Sequence, residues 1–277
     1  MSQNHPQHWF LLRGLGRDSS HWGDFPALFQ KAMPRAQVHC LDLPGTGSRF
    51  NEPSPWRLKQ AAESARAEFL QIIERRKIPA EAPKFVLGIS LGGMVTLHWL
   101  AQHAQDFRGA VLINPSLRGV SPWYQRLSPQ GYVKLFQALL ASDPVAREGY
   151  VLQLTSQNKS WTLADIKRRV QSTSKKPVSY QNFFRQLVAA ATDLPPTRKP
   201  PVPTLLLNSL GDEMVHPDCS MDIKKKWDVE LKRHAWAGHD LPLDDPNWTI
   251  EAVRSWCLNN KFEFAPLQKV ANQFNDE

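Results

Sequence analysis

The sequence predicts an α/β architecture: a mostly parallel sheet of about six strands flanked by helices and interrupted once by an all-helical insertion. Three observations carry this expectation. Six short apolar runs have strand character, helical patterns alternate with most of them, and about 85 residues between the fourth and fifth runs hold capped helices but no convincing strand. Strands that alternate with helices imply right-handed crossovers, and therefore parallel pairing.

The first run, His8 to Leu12, precedes a helical pattern from His21 to Met33. Val38 to Leu41 is followed by a helical pattern from Trp56 to Lys77, and Phe85 to Ile89 by one from Leu91 to Ala104. Ala110 to Ile113 leads into the insertion; Thr204 to Asn208 and Val229 to Arg233 follow it, and the helical pattern Pro246 to Leu258 closes the core. Most runs are continuously apolar, as strands covered on both faces require. Inside the insertion, Ser128-Pro129, Asp143-Pro144 and Ser179 read as helix starts, and Thr162 with Asp165 resembles a capping box with Asp in place of Glu. The prolines of Asp193 to Pro203 cannot continue a helix and favour an extended exit. The expected division is a first core part (1–117), a helical cap (118–199) and a second core part (200–277).

A chain of 277 residues that is 42% hydrophobic and 22% charged can bury a large core, which excludes disorder as its main state. No run reaches the roughly 18 apolar residues of a membrane span, and the start MSQNHPQH lacks the pattern of a secretory signal, so a soluble cytoplasmic protein is expected. Cys40, Cys219 and Cys257 are odd in number and lack metal-ligand spacing; they read as ordinary buried thiols, with no disulfide and no metal site. The net charge of +8 is unevenly placed: residues 118–199 hold thirteen Lys or Arg against four Asp or Glu, and the rest is nearly neutral. No nucleic-acid module accompanies that bias, so no nucleic-acid partner is expected.

Gly88-Ile89-Ser90-Leu91-Gly92 matches G-x-S-x-G, with a strand pattern directly before it and a helical one directly after. A chain turning from strand to helix in one residue strains that residue, and flanking glycines give the adjoining elements room. Ser90 then points its hydroxyl out of the sheet as a candidate nucleophile; the plainer alternative is a tight turn with an incidental serine. A serine needs a base and a group to orient the base. Gly211-Asp212-Glu213-Met214-Val215-His216-Pro217 places an acid just past the fifth run, and Trp236-Ala237-Gly238-His239-Asp240 places a histidine past the sixth. The order Ser90, Asp212, His239 fits this arrangement of strands. Glu213 competes with Asp212, whereas the loop after the fourth run offers only the uncharged Asn114. His98, His216 and His234 read as packing or surface residues. His21, beside Ser19, Ser20 and Trp22, either lines the pocket or starts the next helix.

With these motifs in view, the chain resembles the α/β-hydrolase superfamily, in its group of serine esterases and C–C hydrolase-like enzymes with helical caps. The resemblance runs from RGLGRDSSHW through DLPGTGSRF and GISLGG to LNSLGDEMVHP and GHDLPLDDP. It implies a Ser90 nucleophile, a His239 base, an Asp212 orienter, and an oxyanion hole made by the backbone N–H groups of Leu15 and Leu91. Two departures stand out. Arg13-Gly14 replaces the usual His-Gly, and a start so near the first strand implies a sheet without the usual leading antiparallel pair.

The expected reaction is cleavage of a carboxylic ester or thioester through an acyl-enzyme, on a small-molecule acyl substrate and without a cofactor. Trp22, Trp123 and Tyr124, with His21, are candidate pocket residues; Leu127, Phe136, Leu139, Leu140, Trp161, Phe183 and Phe184 supply further apolar material to the cap. Lys167-Arg168-Arg169 and Lys175-Lys176 read either as a solvated face or as part of a field attracting an anionic leaving group, such as coenzyme A or an acyl carrier protein. The alternatives are a non-catalytic binding protein of the same fold and a C–C bond hydrolase.

Overall fold

The computed structural model describes residues 5–172 and 177–262, so Lys175 and Lys176 lie outside the described residues. Its centre is a six-stranded sheet in the order β2-β1-β3-β4-β5-β6, in which every adjacent pair is parallel. The strands are β1 (Gln7–Leu12), β2 (Ala36–Leu41), β3 (Lys84–Ile89), β4 (Gly109–Ile113), β5 (Thr204–Ser209) and β6 (Glu230–His234). Among the described residues no antiparallel strand joins them.

Side-chain alternation along the inner strands divides the core in two. Phe10, Leu12, Val86, Leu112 and Leu206 face one layer, built with α2 (Leu58–Arg76) and α3 (Leu91–His103). Trp9, Leu11, Phe85, Leu87, Val111, Leu205 and Leu207 face the other, covered by α1 (Phe25–Ala32) and, at the far end of the chain, by the helix Pro246–Asn259. This period of two, with both faces covered, makes the central positions of the inner strands continuously apolar. The edge strands β2 and β6 are partly exposed, and polar residues such as Gln37, Lys232 and Arg233 occupy them.

The helical pattern expected over His21–Met33 is two elements. Asp18 caps a 3-10 turn at Ser19–Trp22, Gly23 breaks it at φ 52°, and Pro26 helps restart the chain as α1. The pattern from Trp56 begins as helix at Leu58, where Asp193 accepts the Leu58 N–H and pairs with Arg57 at 2.9 Å. It ends at Lys77, whose left-handed conformation lets its N–H reach back to Ile73 and Glu74.

Between β4 and β5 lie α4 (Trp123–Arg126), α5 (Pro129–Leu140), α6 (Pro144–Thr155), α7 (Leu163–Ser172) and α8 (Tyr180–Thr192), and among the described residues this stretch contributes no strand to the sheet. Their starts follow the capping signals. Ser128, Asp143 and Ser179 accept first-turn N–H groups, and Thr162 and Asp165 cap each other reciprocally. After β5 come α9 (Asp218–Trp227), then β6, α10 (Leu241–Asp244) and α11 (Pro246–Asn259). Among the described residues no helix is long and apolar enough to cross a membrane, and Cys40, Cys219 and Cys257 are free thiols.

Candidate active site

Ser90 stands between β3 and α3 at φ 55° and ψ −118°, a region that residues with a side chain rarely occupy. The strain is held in place by contact. A Cβ on Gly88 would lie 2.5 Å from the Gly92 carbonyl oxygen, and one on Gly92 would lie 2.5 Å from that of Leu12. Only glycines allow β1, β3 and α3 to approach this closely, so the flanking residues of the motif are explained by packing. Ser90 itself is half-buried and opens onto a cavity of about 230 Å³.

The loops after β5 and β6 converge on the same cavity. His239 Nδ1 lies 2.6 Å from Asp212 Oδ2, and both residues are buried. The other carboxylate oxygen, Oδ1, accepts the N–H groups of Met214 at 2.8 Å and Val215 at 2.9 Å. The turn G-D-E-M-V therefore fixes its own aspartate by local hydrogen bonds and aims the remaining oxygen at the imidazole. Glu213 points elsewhere: it accepts from Gln157 Nε2 at 2.9 Å, with its side chain 47% exposed.

His239 Nε2 is buried without a partner, and it forms no hydrogen bond with Ser90 Oγ. Both residues nonetheless line the one cavity. The N–H groups of Leu15 and Leu91 are likewise not engaged in hydrogen bonds among the described residues, while their neighbours are: Gly16 N–H donates to Gln186 at 2.9 Å and Arg17 N–H to the Gly14 carbonyl at 3.2 Å. The loop passes close over the serine, for a Cβ on Gly14 would lie 3.1 Å from Ser90 Cβ.

The carbonyl of His239 is held from below. Asn114, just past β4 at φ 46°, donates through Nδ2 to this carbonyl at 2.9 Å and to Ser209 Oγ at 3.0 Å, and its Oδ1 accepts the Ser209 N–H at 2.9 Å. Asparagine tolerates the left-handed region. The position that offered no alternative acid thus clamps the ends of β4 and β5 to the histidine loop.

Charged groups gather on one wall. Arg13 makes a bidentate pair with Asp240 at 3.1 and 2.5 Å and lies over the Trp22 ring at 4.6 Å. Arg17 and Arg169 both bind Glu148, at 2.6 and 2.7 Å. Burial alone would raise the two carboxyls, but Arg13 beside Asp240, and Arg17 with Arg169 beside Glu148, outweigh it and hold both at about 2. Arg169 is therefore one of three members of a largely buried charge cluster, not part of a solvated face. Arg147 also lines the cavity, and among the described residues no carboxylate pairs with it. The cavity is also lined by the apolar side chains of Leu135, Leu139, Val151, Leu154, Phe183 and Met214.

Three of the expected pocket residues are elsewhere. Trp22 is buried beneath Arg13 and against Phe25; Trp123 and Tyr124, on the short α4, are 70% and 53% exposed. An aromatic side chain in an amphipathic segment does not state which way its helix faces, and here α4 faces outward. Phe136, Leu140 and Phe184 are exposed as well. His21 lines the cavity and does not start α1: it belongs to the separate capped 3-10 turn, with Nδ1 3.0 Å from Asp18. Burial, ahead of the field of Arg17, lowers its pKa. His234 packs between Trp236 and Trp248, His216 is exposed beside Asp218, and burial lowers the pKa of His98. Among the described residues no cluster of His, Cys, Asp and Glu could hold a metal.

A family model described as "Alpha/beta hydrolase family" matches residues 9–252, which takes in most of β1, the serine turn and both loops that carry Asp212 and His239. The chain belongs to the alpha/beta hydrolase family. This hydrolase is 31% identical over 110 residues to a pimeloyl-(acyl-carrier protein) methyl ester esterase of Chromobacterium violaceum; the match covers 40% of the chain and 37% of that esterase's length. Among solved structures, a lipase-esterase related protein from Clostridium acetobutylicum superposes with a TM-score of 0.68 at 16% identity, covering 91% of this chain and 95% of the other. An esterase from Rhodococcus gives 0.67 at 17% identity, with 91% and 90% covered. At these identities the structural likeness shows the shared fold.

Proposed function

We propose that this hydrolase cleaves a carboxylic ester or thioester through an acyl-enzyme on Ser90. The observation that carries the reading is the buried Asp212–His239 hydrogen bond at 2.6 Å, which leaves His239 Nε2 unpartnered in the cavity that Ser90 also lines. Ser90 Oγ attacks the carbonyl carbon while its proton passes to His239 Nε2. The carbonyl electron pair moves onto oxygen, where the N–H groups of Leu15 and Leu91 receive it. Collapse expels the alcohol or thiol, which takes the proton from Nε2. Water, deprotonated by the same nitrogen, then releases the acid and restores Ser90. Asp212 holds the ring and stabilises its cationic form. A Ser90 hydroxyl stripped of these partners would be a poor nucleophile at neutral pH, and an arrangement serving only to bind would gain nothing from an unpaired buried imidazole nitrogen.

The residues 118–199 form the cap in this reading, and the apolar wall of α5, α6 and α8 receives the acyl chain. The surplus of basic residues in the cap favours an anionic leaving group, such as coenzyme A or an acidic acyl carrier protein. The partial likeness to an esterase of a pimeloyl-(acyl-carrier protein) methyl ester supports an ester substrate linked to an acidic carrier, with the carrier there on the acyl side and methanol as the leaving group. A panel of p-nitrophenyl esters and acyl-CoA thioesters of rising chain length tests both levels. Turnover that disappears in Ser90→Ala is expected for both substrate types. Acyl-CoA turnover should also weaken several-fold between about 20 and 500 mM salt, while that of neutral esters holds steady. Turnover that survives in Ser90→Ala contradicts the mechanism, and equal salt response contradicts the anionic leaving group.

A further inference from the structure

We infer that the buried Arg13–Asp240 pair is a positioning element, one that locks the loop carrying Leu15 to the loop carrying His239 so that oxyanion donor and base keep one relative geometry. The inference rests on the acyl-transfer reading above.

The placement is specific. Arg13 follows β1 directly and stands two residues before Leu15, while Asp240 adjoins His239. The two loops are 227 positions apart in sequence, and the guanidinium–carboxylate contact bridges them through two nearly parallel bonds of 3.1 and 2.5 Å. Two such bonds fix direction as well as distance. Each partner is held from another side. The Arg13 guanidinium lies on the Trp22 ring, the Arg13 carbonyl oxygen would be 2.6 Å from a Cβ on Gly92, and Asp240 N–H donates to the Thr155 carbonyl at 2.7 Å. Neither loop can slide against the other without breaking the fork.

Stability does not account for the pair. Both residues are only 4% exposed, and Arg13 Nε is buried without a partner, so desolvation is incompletely offset. A buried ion pair of this kind is commonly replaced by apolar residues of similar volume with no loss of stability. What apolar contacts cannot reproduce is the directed, two-point link beside the reacting groups.

The test compares wild type, Arg13→Lys and the double variant Arg13→Met/Asp240→Leu, using p-nitrophenyl butyrate turnover, labelling of Ser90 by a fluorophosphonate, thermal melts, and inhibition by an alkyl trifluoromethyl ketone whose adduct presents an oxyanion. The double variant is expected to melt within a few degrees of wild type, to keep KM within about twofold, and to lose at least about tenfold in kcat, as a small misplacement of reacting groups does. Its affinity for the ketone should fall by the same factor, and Arg13→Lys should lie between. A folded double variant with kcat and ketone affinity within twofold of wild type overturns the inference alone, as does a loss explained entirely by unfolded protein. A wild type that neither turns over the ester nor labels at Ser90 overturns the acyl-transfer reading and this inference with it.

Discussion

His239 Nδ1 sits 2.6 Å from Asp212 Oδ2, and the opposite ring nitrogen is buried with no partner. The imidazole is thereby oriented at one end and left unengaged at the other, which is the condition a general base requires before substrate arrives. Asp212→Asn keeps the shape of this contact but presents the wrong hydrogen-bonding group to Nδ1. If the proposed mechanism holds, ester kcat falls about 10³- to 10⁴-fold, by analogy with loss of the orienting acid in serine proteases. Glu213→Gln, one position along, should stay within about twofold because its carboxylate faces Gln157.

Ser90 at φ 55° separates stability from catalysis. Ser90→Ala removes the hydroxyl but keeps the strained backbone, so turnover should vanish with the melting temperature little changed. Ser90→Gly also relieves the backbone, a relief of about 1–3 kcal/mol that is partly cancelled by the greater freedom of glycine in the unfolded chain. Thermal melts should therefore place Ser90→Gly at or above Ser90→Ala.

Asn114 should matter to stability as well as to the histidine loop. Asn114→Ala removes the three shortest polar contacts of one buried side chain, to Ser209 Oγ, the Ser209 N–H and the His239 carbonyl, with two longer ones to the Gly238 carbonyl and Asn208, and leaves a β-carbon at φ 46°. Unsatisfied buried partners cost about 1–3 kcal/mol each before relaxation; urea denaturation should show a net loss of about 2–4 kcal/mol.

Two histidines outside the site contribute to the acid response of the fold. His8 and His39 meet at 3.0 Å across β1 and β2. Burial first, then the neighbouring His39, Lys84 and His5, lower His8 to about 4; burial and then Arg76 lower His39 to about 4. Because both pKa values are lower folded than unfolded, the unfolded chain takes up protons first. Stability should therefore decline as pH falls from about 6.5 to about 4 and then cease to change on their account. Asp240 and Glu148, held at about 2, work in a lower window: their contribution is present above about pH 4 and is lost as pH falls toward 2. Partly buried Glu68, raised to about 7 by desolvation, opposes the first decline by gaining stability as pH falls below about 7, so urea midpoints from pH 7.5 to 3 should fall more steeply in wild type than in His8→Gln/His39→Gln.

The sheet and the serine turn were legible because each leaves a local mark. Strands covered on both faces must be apolar throughout, and a one-residue change from strand to helix demands glycines where Gly88 and Gly92 stand. The spacing G-D-x-x-V-x-P favours Asp212 over Glu213, and in the structure Asp212 Oδ1 is held by N–H groups only two and three residues away. Direction and distant pairing leave no such mark. Trp123 and Tyr124 read as pocket material by composition alone, yet α4 turns them to solvent. Arg13 was visible as a departure from its relatives, but its partner Asp240 was not, because nothing in a run of residues ties two positions that only the closed sheet brings together. Glu148 was hidden likewise: its partners Arg17 and Arg169 come from different loops and helices.

The most direct test of the central claim is reaction of the full chain with a fluorophosphonate, followed by mass spectrometry of the digested protein. A single adduct on Ser90, formed rapidly in wild type and at least about 10³-fold more slowly in His239→Ala, is the predicted result. An adduct on another residue, or labelling of Ser90 that proceeds equally well without the imidazole, would contradict it.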